Sequence, residues 1–243
     1  MPGAASPEPS KQGRFPTTRW SLIVGSRQRP TANSREALAS LCSTYWYPLY
    51  AYMRRQGESV EDAQDLTQGF FSRLLEKQYL EDFDRERGRF RTFLVAAFRH
   101  YAANERHRER AQKRGGEQAL LRLDLQDAEQ RYHLEPSHNL TPEKIYERRW
   151  ALTLLERSME RLRADSASHA RFDRLQTFLT GEPADSYRQL AEELGMSEVA
   201  LKVAVHRLRR RYGDLVREEI AQTVASPEEI KDELSYLLSV ISV

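Results

Sequence analysis

Apolar residues recur at intervals of three and four along nearly the whole chain, and no useful stretch alternates apolar with polar. That period belongs to helices with one buried face and excludes a sheet protein. Asn33 with Glu36 has the form of a capping box and opens a pattern through Leu38, Leu41, Tyr45, Leu49 and Tyr52, ending near Gly57. Ser59 with Asp62 starts a second, carried by Ala63, Leu66, Phe70, Leu74 and Leu75. A third follows the polar loop 82–88 with Phe90, Phe93, Leu94, Ala97, Phe98 and Tyr101, then dissolves into Glu105-Arg106-His107-Arg108-Glu109-Arg110.

Gly115-Gly116 closes this group, and residues 117–139 are weakly periodic and acidic, with Asp124, Asp127, Glu129 and Glu135. Thr141 and Pro142 then supply an N-cap and an N1 proline for a helix through Ile145, Trp150, Leu154, Leu155, Met159 and Leu162. Further helices are predicted over 169–180, 186–194 and 197–221. Ser226-Pro227-Glu228-Glu229 begins a last one with an apolar stripe of Ile230, Leu234, Leu237, Leu238 and Ile241. The expected fold is all-α: two small helical domains joined by a flexible linker. The expected divisions are a leader with a short helix (1–32), a first domain (33–114), a linker (115–141), a second domain (142–224) and a helical extension (225–243). The extension's stripe has to bury against something, by default the chain's own second domain.

The most specific local signal lies between Ser186 and Leu208. Ser186 with Gln189 forms a capping box, Leu190 and Leu194 share a face, and Ala191 is small where a second helix must approach. Gly195 stands where the chain turns and needs a left-handed conformation. Met196 plugs that turn, Ser197 caps the next helix, and Leu201, Val205 and Leu208 continue the buried side. This is the logic of a helix-turn-helix, whose second helix enters the DNA major groove. Lys202, His206, Arg207, Arg209, Arg210 and Arg211 give that helix a basic flank suited to phosphates and guanine edges. Ala200 and Val203 are apolar where polar groups are common, and either meet thymine methyls or pack on a neighbour.

The net charge is only +2 with 30% charged residues, so the basic clusters matter more than the total. The single cysteine, Cys42, excludes an internal disulfide and sits in an apolar pattern, as a buried thiol would. The start of the chain is rich in Pro, Gly and Ser without an apolar core segment, and the residues Trp20 to Val24 form a short apolar patch. No run is long enough to span a bilayer, so a cytoplasmic protein without membrane insertion is expected. Asp62 and Asp65 lack a supporting His. The six histidines (100, 107, 133, 138, 169 and 206) are scattered, and no glycine-rich phosphate loop is present. No catalytic residue, metal site or cofactor is expected.

The run Glu61-Asp62-Ala63-Gln64-Asp65-Leu66-Thr67-Gln68-Gly69-Phe70-Phe71 resembles the helix with which sigma-70 family transcription initiation factors bind the clamp coiled coil of RNA polymerase. The segment from Arg89 to Arg114 resembles the one that melts and reads the downstream (−10) promoter element. The second domain is similar to the one that binds the polymerase flap and reads the upstream (−35) element. With no further large domains, the resemblance is to the extracytoplasmic-function (ECF) subfamily.

The resemblance implies polymerase contacts at Glu61, Asp62, Asp65, Leu66, Gln68 and Phe70. It implies downstream-element contacts at Arg85, Arg87, Arg89, Asn104, Arg106, His107 and Arg110, with loop 82–88 pocketing a flipped base. Upstream-element contacts fall on Ser197, Lys202, His206, Arg207, Arg209 and Arg210. Aromatic side chains can stack unpaired bases while arginines follow phosphates, although Phe90, Phe93 and Phe98 are expected to be core. The acidic linker would lie in the path of nascent RNA, or act as a plain spacer. An anti-sigma factor or another regulator is a further implied partner, and the C-terminal extension is a candidate built-in regulator. Gln64 and Gly69 stand where acidic residues are common in the family, and His100 and Asn104 also differ from frequent choices. The alternative reading is a stand-alone helix-turn-helix regulator whose first domain senses a ligand or partner.

Overall fold

The computed structural model describes residues 32–75, 89–111, 128–135, 140–180, 186–224 and 226–242. Its ordered elements are all helices: α1 (Ala32–Arg55), α2 (Val60–Leu75), α3 (Phe90–Ala111), α4 (Ala128–His133), α5 (Pro142–Ala164), α6 (His169–Leu175), α7 (Thr177–Thr180), α8 (Tyr187–Glu193), α9 (Glu198–Ala221) and α10 (Glu228–Ile241). The all-helical expectation holds. The helix expected over 169–180 divides into α6 and α7, because the chain bends at Gln176, whose N–H closes the first helix onto the Phe172 carbonyl.

The second half of α1 is the hub. Tyr45, Tyr47, Leu49, Tyr50, Ala51, Tyr52 and Met53 are all buried, so this helix is covered on every side rather than along one stripe. Its first face meets α2 and α3, where Tyr45 lies edge-on to Phe90 at 5.3 Å and Phe70 packs on Phe98 at 5.0 Å. Gly57, at φ 95°, ends α1 in a left-handed turn, and the Ser59 hydroxyl caps α2 by accepting from the Asp62 N–H at 3.0 Å. Pro48 sits within α1 without breaking it.

The second face of α1 meets α5, which runs antiparallel to it: Arg157 donates to Ser43, and Arg149, two turns earlier in α5, approaches Tyr47, one turn later in α1. Tyr146, Trp150, Ala151 and Leu154 of α5 and Val216, Ile220 and Val224 from the end of α9 therefore share a core with α1, α2 and α3. The expected boundary near residue 142 is thus a change of element and not a gap in packing. α10 docks on α5 and α9, as expected of the extension, and also reaches the start of α3.

Part of the expected linker is also pinned. Glu129 of α4 receives a fork from Arg54, at 3.0 and 2.8 Å, and accepts the Tyr50 hydroxyl at 2.5 Å. The Arg54 hydrogen bond pulls the Glu129 carboxyl below the ordinary range against the opposing effect of burial, with Tyr50 adding to the pull. Glu135 is buried, accepts from Tyr47 at 3.0 Å and pairs with Arg149. These two carboxylates are committed within the chain.

Two smaller cores continue the body. One joins Leu162, Phe172 and Leu215; the other joins Leu175, Phe178, Leu190, Ala191, Leu201 and Val205 around the helix-turn-helix. The unbroken α9 runs through all three. Cys42 is buried, and burial pushes its thiol up to about 12, partly opposed by a backbone hydrogen bond.

Candidate nucleic-acid and polymerase interface

The helix-turn-helix has the caps read from the sequence. Ser186 accepts from the Gln189 N–H while the Gln189 side chain takes the Ser186 N–H at 2.9 Å, completing the box. Gly195 turns the chain at φ 63°, and the Met196 N–H returns to the Ala191 carbonyl at 3.0 Å. Ser197 caps α9 through the Ala200 N–H at 3.2 Å.

With Leu201 and Val205 inside, α9 presents Val199, Val203, His206, Arg207 and Arg210 to solvent. Lys202 is exposed, paired with Glu198 at 2.6 Å, and lies 5.6 Å above the Tyr187 ring. Arg209 instead turns back to donate to the Phe178 carbonyl at 2.8 Å, so it staples α7 to α9. Ser197 is an N-cap, and its hydroxyl is engaged with the backbone.

On α2, Glu61, Asp62 and Asp65 are exposed and Gln68 is half-buried, one acidic strip on the outer side. Leu66 and Phe70 lie in the core, which corrects their assignment as surface contacts. They share the inward stripe with Ala63, Phe71 and Leu74, and packing on α1 and α3 claims them. Gly69 lies where a Cβ would run into the Tyr101 hydroxyl, so its smallness serves close approach of α2 to α3.

On α3, Asn104 and His107 are exposed, while Arg106 pairs with Glu58 and touches the Met53 sulfur at 3.9 Å. Arg85, Arg87 and the side chain of Arg110 lie outside the described residues. Phe90 and Phe98 are buried with no face free for bases, and Phe93 is partly buried and packs against the core.

Arg89 is drawn into a cluster that sequence reading missed. Glu233 of α10 is 3% exposed and pairs with Arg89, and with Arg91 at 2.7 Å. The Arg91 side chain is 8% exposed, stacks 3.8 Å over Tyr236, and has Glu147 at 3.7 Å as a second anion. The Tyr146 hydroxyl donates to the Arg91 carbonyl at 2.8 Å. Burial disfavours the Arg91 charge, but the hydrogen bond and charge of Glu233 outweigh it and raise the guanidinium pKa. One signal was legible: Glu233 sits inside the stripe of Ile230, Leu234 and Leu237, where a carboxylate needs a partner.

Among the described residues no group of His, Cys, Asp and Glu is placed to hold a metal ion, and no helix is long and apolar enough to cross a membrane. An open groove of about 650 Å³ lies between α5, α6, α7 and α9, walled by Leu155, Met159, Leu179 and Tyr212.

Residues 43–112, which span the second half of α1, all of α2 and all of α3, match the family described as Sigma-70 region 2. No curated protein and no solved structure matches the chain. The match covers under a third of the chain. The exposed acidic strip on α2 and the exposed polar groups of α3 both fall within the matched segment.

Proposed function

We propose that this chain is an ECF-type sigma factor, a promoter-specificity subunit that acts with core RNA polymerase. The observation that carries the reading is the region 2 match over helices α1–α3, followed in the same chain by a capped helix-turn-helix with a basic outer face. Polymerase docking is assigned to Glu61, Asp62, Asp65 and Gln68 on the clamp coiled coil, with the second half of the chain on the flap. The downstream element is assigned to the start of the loop–α3 segment with Arg85, Arg87, Asn104, His107 and Arg110, joined by Arg89 and Arg106 when their carboxylate partners release them. The upstream element is assigned to Lys202, His206, Arg207 and Arg210. Phosphate-directed arginines position such a helix, and base-edge contacts make it selective.

Run-off transcription with core polymerase and a promoter library tests partner, function and specificity together. Promoter-dependent transcripts that disappear with Glu61→Lys and Asp65→Lys are expected. Failure of the purified chain to associate with core enzyme overturns the proposal. The reading as a stand-alone regulator draws on the apolar groove between α5, α6, α7 and α9, a shape suited to a ligand. It predicts tight duplex binding without polymerase, which the same preparation measures.

A further inference from the structure

An exposed helix position ordinarily carries a polar side chain or alanine, because a β-branched residue loses rotamer freedom there without gaining burial. α9 breaks that rule twice on one face. Val199 is 72% exposed and Val203 is 44% exposed, and they stand four residues apart, so their side chains are neighbours. No described element covers either. They lie opposite the buried Leu201 and Val205, directly after the Gly195 turn and the Ser197 cap, at the end of the helix that a helix-turn-helix presents to its ligand.

The setting of the pair identifies what covers it. Lys202, His206, Arg207 and Arg210 surround it, and among the described residues Arg207 and Arg210 carry no ion pair. An apolar protein partner gains nothing from unpaired guanidinium groups at its rim, whereas a polyanion does. A DNA duplex offers one apolar group among the base edges of its major groove, the C5-methyl of thymine.

We propose that Val199 and Val203 read thymine methyls. The proposal rests on the assignment of α9 as the DNA-reading helix and names its specificity determinant. One helical turn separates the two valines, a rise of about 6 Å for four residues. Two base steps along a strand cover about 6.8 Å. The pair therefore matches two thymines about two steps apart, with Arg207 and Arg210 on the adjoining phosphates. The valines supply selectivity and the arginines supply sequence-independent affinity.

The test uses the full chain with core polymerase. Duplexes carrying a randomised upstream region are selected for binding, and thymines in the enriched motif are then replaced singly by uracil, which pairs identically but lacks the methyl. Loss of one methyl contact is expected to weaken binding roughly fourfold at each of two positions, the worth of one buried methylene-sized group. Thymines outside the motif serve as the control. The V199A/V203A variant, whose changes lie on an exposed face, is expected to bind thymine and uracil duplexes equally while still assembling with polymerase. Arg207→Ala is expected to weaken both duplexes by the same factor.

Equal binding of the two duplexes by the unaltered chain overturns the methyl reading alone, as does an unchanged thymine-to-uracil ratio in V199A/V203A. Loss of polymerase association in that variant overturns it in favour of a protein-facing surface. A selection that enriches no sequence, or enriched binding indifferent to both Arg207→Ala and Arg210→Ala, removes the helix-turn-helix assignment itself.

Discussion

Replacing Glu233 by Ala is expected to destabilise the chain by about 3–5 kcal/mol, the cost of breaking a buried pair from one side. The structure explains why the full cost applies. Glu233 is 3% exposed and the Arg91 side chain 8%, so neither charge recovers water when the other is removed. The nearest remaining anion, Glu147, is 3.7 Å from Arg91 and 31% exposed, and replaces little of the attraction. Arg89 is 35% exposed and returns to solvent at small cost, as surface pairs do. Against a total stability of about 5–15 kcal/mol, this single change removes a large share. Urea unfolding followed by far-UV circular dichroism and by tryptophan fluorescence measures it, with coincident transitions and an unchanged slope as the condition for comparison. The double variant Arg91→Met with Glu233→Leu removes both charges and keeps an apolar filling, so it is expected within about 1 kcal/mol of the unaltered chain. A Glu233→Ala loss below about 1 kcal/mol, or a double variant as unstable as the single, refutes the account of this cluster as a coupled buried pair.

Gly69→Ala is expected to destabilise by about 1–3 kcal/mol because the new Cβ meets the Tyr101 hydroxyl. Adding Tyr101→Phe should reverse the loss and reveal the helical gain of alanine over glycine, about 1 kcal/mol in the same unfolding assay. Glu129 is held ionised below the ordinary carboxylate range by Arg54, so its contribution is complete above the unfolded carboxyl value of about 4.3 and is lost as pH falls through the lower folded value. Glu129→Gln should therefore flatten the acid limb of stability against pH, and an unchanged limb would refute the linkage. Cys42, with its thiol pushed up to about 12, should resist alkylation at neutral pH in the folded chain and react fully in denaturant; rapid native labelling would contradict its burial.

The caps and turn between α8 and α9 were legible because their signals are local. A Ser with Gln three residues on, a glycine at the one turn that needs a positive φ, and a serine at the next helix start each act within a few residues. The start of α2 at Ser59 was legible for the same reason. Faces were less so. Leu66 and Phe70 belong to a run that resembles a docking helix, but a run read as a string does not separate the outer Glu61, Asp62 and Asp65 from the inner stripe. Only packing against α1 and α3 divides them.

The core shared by the two halves was not legible, for a deeper reason. α1 carries buried residues at Tyr45, Leu49 and Tyr52 and again at Tyr47, Tyr50 and Met53, and a helix with two apolar faces must be covered twice. α2 and α3 cover one face, and α5 with α4 cover the other. The tyrosines were the available clue. Buried hydroxyls need partners, and Tyr47 and Tyr50 find theirs on Glu135 and Glu129, carboxylates some eighty residues away in what reads as a linker. The same rule locates the remaining long-range ties. Glu219 lies in the stripe of Leu215, Val216 and Ile220 and is met by Arg161 at 2.8 Å, just as Glu233 is met by Arg91. A carboxylate inside an apolar stripe announces that a cation will arrive from another element. Which cation arrives is decided by the tertiary fold, and here that choice binds α10 to the first turn of α3.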